Sequence, residues 1–323
     1  MEQERAKVCG NMILDMLNTE VFKISGIKLV ISKHTLTVYF LLAYTISWIG
    51  WLTLVIVTPK SSSIQWMILM GIGISGPLLA SLIVICVING KEGLQAFLGR
   101  IFTWKIHYTW YLVAFSVPTI IWLIPTLIHI YLGGTPPVLF SKTPYIPSSC
   151  AFLQIHDNII LCIILQFITI FLVNGVTEEP GWRGTALPKV QERYSAVLSS
   201  IIVGILHTCW HLPLYFIPGT TKYFADTEKL LLPFISFVVV TVLFSFIYTW
   251  LYNSTESVLL PMISHTTWNL SIGLLRPPTA GYPVGYDAIL IVVELGFILL
   301  LIYFFGSEKL SKRPRRSDQH GRD

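Results

Sequence analysis

Apolar residues in this chain fall in long uninterrupted blocks. Eight are long enough to become membrane helices, at approximately Thr35–Thr58, Ile64–Ile88, Trp110–Leu132, Asn158–Val176, Ala196–Phe216, Leu230–Tyr252, Val258–Leu275 and Ala288–Phe305. A spanning helix needs about 20 apolar residues. The expected fold is therefore all-α, a polytopic membrane protein with about eight transmembrane helices. The fourth and seventh blocks carry polar residues, and Pro261 interrupts the seventh. These blocks divide the chain into an N-terminal arm over 1–34, a membrane domain over 35–306 and a basic tail over 307–323. In the arm, Ile13, Leu14, Leu17 and Val21 recur at helical spacing, which suits a short interfacial helix as well as a solvated segment. Residues 89–109 read as an amphipathic surface helix, with Leu94, Phe97, Leu98, Ile101 and Phe102 on one face.

Composition agrees. Hydrophobic residues make up 54% of the chain and charged residues 12%, against about 25% charged in a soluble domain. No cleavable signal peptide is recognised, because the first 34 residues lack an isolated apolar stretch. If all eight blocks span, 17 Lys and Arg residues lie on the side of the termini and 5 on the other. The positive-inside rule then places both termini in the cytoplasm, and in a prokaryote the host bilayer is the cell membrane. The tail from 309 onward is expected to be disordered and to lie on anionic headgroups. The net charge of +5 is thus accounted for by a membrane surface, with no nucleic-acid partner. Five cysteines without paired spacing argue against a disulfide framework or a cysteine metal site. No internal repeat suggests an inverted-repeat transporter.

Polar residues at the ends of apolar blocks carry the chemistry. A charge at a membrane helix centre costs about 2.5–3.5 kcal/mol on insertion scales, so such groups mark functional sites. Glu178-Glu179-Pro180-Gly181-Trp182-Arg183 closes the fourth block. Glu179 and Arg183, four apart, can pair on one helical face, which points Glu178 elsewhere. Pro180 predicts a kink or break. A cytoplasmic-edge ion pair that only anchors the helix accounts for the same residues. His207 and His211 also share a face at a spacing of four, and structural hydrogen bonding is the competing account. His265 and Asn269 repeat that spacing. Together they can donate two hydrogen bonds toward one point, as an oxyanion requires, or they can bond between helices. On three helices these residues form a candidate intramembrane polar centre. His129 and Glu294 stand alone in their helices.

The three segments Glu178-Glu179-Pro-Gly-Trp-Arg183, His207-Thr-Cys-Trp-His211-Leu-Pro and His265-Thr-Thr-Trp-Asn269 resemble, in order and spacing, the motifs of the CPBP intramembrane proteases. That family comprises the CAAX prenyl protease and bacteriocin-processing, or abortive-infection, proteins. The similarity centres on about 157–275, and Gly73–Leu82 with the amphipathic 89–109 segment resembles the family's upstream part. The family usually has phenylalanine where this chain has His207. The resemblance implies an intramembrane endopeptidase with a polar active-site cavity in the membrane. Glu178 would activate water with help from His211, His265 and Asn269 would stabilise the oxyanion, and Glu179 and Arg183 would hold the site, with His207 supporting. The substrate would be a membrane-associated peptide or protein, either a CAAX-type prenylated C-terminus or a leader peptide.

No cofactor is favoured. A zinc version would use Glu178, His211 and His265, with His207 as a fourth ligand. The zincin pattern is absent, since Thr208 follows His207 where that pattern has glutamate. Two other classes compete: a non-catalytic scaffold or bacteriocin-immunity protein of the same fold, and a solute transporter using the centre as a proton relay. Depth supplies a structural condition. At about 1.5 Å per residue, His211 lies roughly 20 Å along its helix from Ala196, whereas Glu178 falls at the edge of the fourth block. The two meet if the fourth helix continues, kinked, past Glu178 or if the start of the fifth protrudes into the cytoplasm; the former is expected, with helix to about Leu187.

Overall fold

The computed structural model describes residues 26, 28–137, 158–218, 220, 230–277 and 285–313. The proposed interfacial helix in the arm and most of the proline-rich 133–149 loop lie outside them. Among the described residues there is no strand. Eight helices of 15 residues or more correspond to the eight apolar blocks. They are α1 (Thr35–Val57), α2 (Ile64–Ile101), α3 (Tyr108–Tyr131), α4 (Ile159–Gln191), α5 (Ala196–Trp210), α6 (Leu231–Thr255), α7 (Leu259–Leu275) and α8 (Tyr286–Phe305). Seven of these segments are long and apolar enough to cross a bilayer, α5 together with the 3-10 turn Leu212–Phe216 that follows it. The exception is α7, at 17 residues. Polar side chains cap several of the starts: Ser63 on α2, Asn158 on α4 and Ser195 on α5 each accept a bond from an amide three residues on. Pro261 does not interrupt α7, because it lies in the first turn, where no intrahelical amide bond is lost.

Two features of the helices shape the site. First, α4 continues past the apolar block that ends at Val176, as the depth argument expects. It runs unbroken through the acidic motif to Gln191, with π-turns at Phe171–Gly175 and Trp182–Ala186. Pro180 keeps helical geometry between them, so the expected break is absent. A wide turn on each side absorbs the ladder bond that proline cannot make. The condition on depth is thereby met. Glu178 lies 13 residues before Gln191, about 20 Å at 1.5 Å per residue, level with the far end of α5. Second, α2 and the amphipathic segment are one element with a sharp turn at Gly90 (φ 58°, ψ −145°), a backbone state open to glycine. Beyond the turn, Phe97 and Ile101 bury against Val258 and Met262, whereas Leu98 and Phe102 stay exposed.

Besides the small cluster around Phe97, two larger apolar clusters hold the bundle. One joins α3, α6, α7 and α8 around Trp122, Phe244 and Trp268. The other joins α1, α2, α4 and α5 around Trp51, Trp182 and Trp210. In lipid, close backbone approach replaces the hydrophobic driving force between helices. Ala43, Ser47 and Gly50 of α1 meet Gly73, Gly76 and Ala80 of α2 along such a seam. A Cβ on Gly76 would lie 2.0 Å from Ser47 Oγ and 2.5 Å from the Ala43 carbonyl.

The basic tail begins docked, where free chain was expected from 309. The first amides of α5, Ala196 and Val197, donate to the carbonyls of Glu308 and Ser307. Asn253 donates to the Lys309 carbonyl, Ser311 bonds Asn253, and Leu310 is fully buried. Residues 314–323 lie outside the description. Cys86 and Cys209 are free thiols, but Cys162 is disulfide-bonded, which the spacing of the cysteines did not indicate.

Candidate active site

The site forms where the two apolar clusters meet. α4 supplies two adjacent carboxylates that part in different directions. Glu179 pairs with Arg183, four residues on, at 3.1 Å, both fully buried. It also accepts a hydrogen bond from His265 Nδ1 of α7 at 2.8 Å. Arg183 donates further to Ser245 of α6 at 3.2 Å, and its guanidinium lies 4.3 Å above the Tyr248 ring. The arginine's charge is thus spent on Glu179. Burying an ion pair in apolar surroundings is tolerable only when such extra bonds satisfy it.

Glu178 faces the other way, toward α5. Asn174, one turn earlier on α4, donates to its Oε1 at 2.9 Å. His207 Nε2 lies 2.8 Å from its Oε2, and His211 Nε2 lies 4.0 Å from the same oxygen. His211 Nδ1 is 3.0 Å from the His207 carbonyl of its own helix. A carbonyl can only accept, so Nδ1 carries the proton and the Nε2 lone pair faces the carboxylate. A water about 2.8 Å from each group would bridge a separation of 4.0 Å.

The two halves touch through His207, whose Nδ1 is 3.4 Å from Arg183 Nη1. Its ring is stacked on Trp182 at 4.9 Å. α1 braces the last turn of α5 from behind: Tyr44 Oη donates to the Leu206 carbonyl, and Trp48 Nε1 to that of Trp210. The acids and His207 are at most 2% exposed, whereas the His211 and His265 side chains keep 12% and 10%. The histidines therefore mark the side from which a substrate can approach. Asn269, one turn beyond His265 on α7, is partly buried and makes no side-chain hydrogen bond among the described residues.

All seven residues singled out in the sequence thus lie on the three helices that meet here, but the pairings differ in part. The zinc set of Glu178, His211 and His265 is not the one whose ligand atoms lie closest among the described residues. The geometry instead gathers Glu178, His207 and His211, with one ligand atom from each within 4.8 Å of the others. One carboxylate and two imidazoles suit zinc chemically. Protonation fits less well. Arginine only donates, so His207 Nδ1 accepts and its Nε2 carries the proton toward Glu178. Two ligand atoms about 2.0–2.1 Å from a tetrahedral ion would also stand about 3.3 Å apart, wider than the 2.8 Å seen between Nε2 and Oε2. Asn174, Ser245 and Tyr248 were not anticipated. Asn174 had a readable signal, an amide four residues before Glu178 inside an apolar run. Ser245 and Tyr248 depend on the packing of α6, which spacing does not reveal.

Outside the centre, His129 is a structural residue at the end of α3. It is hydrogen-bonded to the Thr135 carbonyl and set edge-on to Tyr286. Glu294 is fully buried in α8, and neither carboxyl oxygen has a hydrogen-bond partner among the described residues.

Residues 160–271, which contain every residue of the centre, match the family described as "Type II CAAX prenyl endopeptidase Rce1-like". The chain is also 28% identical over 246 residues to "CAAX prenyl protease 2" of Methanococcus maripaludis, covering 75% of this chain and 86% of that protein. Over the segment that holds the paired acids and the facing histidines the chain is thus similar to CAAX prenyl endopeptidases, and its helical membrane fold agrees with that likeness.

Proposed function

We propose that this protein is an intramembrane endopeptidase in which Glu178 activates water directly. The observation that carries this is the unequal treatment of the two acids. Arg183 is committed to Glu179, while Glu178 is held only by an amide and a histidine and faces a second histidine across a gap of 4.0 Å. A carboxylate fixed in place but not neutralised by a cation is available as a base.

A water between Glu178 and His211 gives its proton to Glu178 as its oxygen attacks the scissile carbonyl carbon. His211 Nε2 accepts the second water hydrogen and orients the nucleophile. The carbonyl oxygen becomes an oxyanion, met by the Asn269 amide and by His265. Since His265 Nδ1–H is given to Glu179, Nε2 can donate only in the imidazolium form. Collapse breaks the C–N bond, and the proton held on Glu178 passes to the departing amine. Proton transfer of this kind contributes about 10²–10⁴-fold, and each oxyanion donor about 10²–10³-fold. The family implies a membrane-associated protein or peptide as substrate. The named relative favours a C-terminal CAAX peptide bearing a prenyl group over a leader peptide.

Cleavage of a prenylated CAAX peptide by the purified protein tests this. Glu178→Gln and His211→Ala should each lower turnover by at least about 10³-fold, with folding retained. Wild-type turnover in Glu178→Gln would refute the assignment. Absence of cleavage by the wild type itself would instead point to a scaffold or immunity role. The gathering of Glu178, His207 and His211 supports zinc as a second reading. Turnover that tracks bound zinc up to one ion per chain would establish it, and full turnover at a small fraction of that content would exclude it.

A further inference from the structure

We infer that His207 is a positioning residue for this reaction, orienting the base and joining it to the charged half of the site. This rests on the assignment of Glu178 as base. Three observations converge. The nearest polar partner of Glu178 on α5 is His207 at 2.8 Å, with His211 at 4.0 Å. The Arg183 guanidinium, which can only donate, reaches His207 Nδ1 at 3.4 Å and so directs the Nε2 proton to Glu178. The imidazole plane is set by stacking on Trp182 at 4.9 Å with an angle of 29° between the rings.

These contacts determine what His207 can do. With Asn174 on Oε1 and His207 on Oε2, the Glu178 carboxylate is held from both ends and cannot turn about its terminal torsion. The remaining lone pair of Oε2 is thereby directed at the gap before His211, where the water must sit. His207 is only 2% exposed, behind the slightly more exposed His211, so it acts through Glu178 and does not touch the substrate. It is also the hydrogen-bonded link between the Glu178 half and the Glu179–Arg183–His265 half. The positive charge of Arg183 therefore polarises the donor that holds the base without neutralising the base itself.

Three variants of the full-length protein, assayed for cleavage of a prenylated CAAX peptide, test the inference. His207→Phe keeps a ring on Trp182 but has no donor for Glu178. It should lower kcat about 10²-fold, the cost of roughly an ångström of misplacement, and leave KM within about threefold, since uniform substrate binding is untouched. His207→Gln can accept from Arg183 through its oxygen and donate to Glu178 through its nitrogen, so it should recover kcat to within about tenfold of wild type. Wild-type kcat in His207→Phe, or a His207→Gln as impaired as the phenylalanine variant, would overturn the role. The latter pattern would show that the imidazole itself carries a proton or a metal. Glu178→Gln, run alongside, separates the two claims. If it is inactive while His207→Phe is fully active, only the role of His207 falls. If it is active, the base assignment falls and the positioning role with it.

Discussion

Glu178 and Glu179 are chemically identical neighbours with opposite energetic situations, and this sets the expected response to mutation. Removing the charge of Glu179 leaves Arg183 buried without its counter-ion, a loss of about 3–5 kcal/mol for a broken buried pair. Glu178 faces only an asparagine and histidines, and its glutamine variant strands no arginine. Thermal unfolding in detergent should therefore show Glu179→Gln strongly destabilised and Glu178→Gln close to wild type, with both inactive. Equal midpoints for the two would mean that Arg183 does not depend on Glu179. Much of this was readable before the structure: the four-residue spacing pairs Glu179 with Arg183 and sends Glu178 elsewhere. Which histidine meets Glu178 was not readable. His207 and His211 share a face of α5, and only the rotation of α5 against α4 chooses between them.

Among the elements, α4 carries the most consequence, because it must bring charged residues to mid-bundle without unfolding. Its apolar block ends at Val176, while depth placed its helical end near Leu187 and the helix runs to Gln191. An apolar window ends where Glu178 begins, so hydropathy alone places the motif in a loop. Depth repaired this, since a histidine far along α5 has no partner unless α4 continues. The π-turns could not be foreseen, because they answer to Pro180 and to the packing of α2. That packing is tight at Gly181, where an added Cβ would lie 2.6 Å from Pro77 Cβ and 2.7 Å from the Pro77 carbonyl oxygen. The oxygen is backbone and cannot swing aside. Gly181→Ala should therefore push α4 off α2, costing about 1–3 kcal/mol and most of the activity, because the displaced turn carries both acids. Gly296→Ala on α8, where an added Cβ meets nothing within 4 Å, should be neutral. Activity and unfolding midpoints of the pair check this, and an active, stable Gly181→Ala would show that α2 yields.

At the scale of the molecule, one end of the bundle gathers the turn after Gly90, the end of α4, the start of α5, the end of α6 and the docked residues 307–311. Ser257 bonds the Thr103 carbonyl, Arg100 bonds that of Gly184, and Glu308 and Ser307 receive the first amides of α5. This end also bears most of the cationic loop residues in the sequence, and that asymmetry survives the transfer of Arg183 from loop to interior. The positive-inside rule then predicts that the whole end is cytoplasmic, with the loop between α1 and α2 on the opposite face. Single cysteines at Lys312 and Lys60, introduced after Cys9, Cys86, Cys150, Cys162 and Cys209 are all replaced by serine, report this directly. A membrane-impermeant maleimide should label Lys60→Cys in intact cells and Lys312→Cys only after lysis. Labelling of Lys312→Cys in intact cells would invert the orientation and place the tail outside. Because the carbonyls of 307 and 308 cap α5, the same end also bears on the site. Truncation after Arg313 should leave cleavage unchanged. Truncation after Gly306 bares two α5 amides and the Leu310 pocket, and it should lower stability by about 2–5 kcal/mol, the range for losing a buried leucine. With the first turn of α5 unanchored, His207 and His211 lose part of their register against Glu178, so cleavage should fall along with the unfolding midpoint.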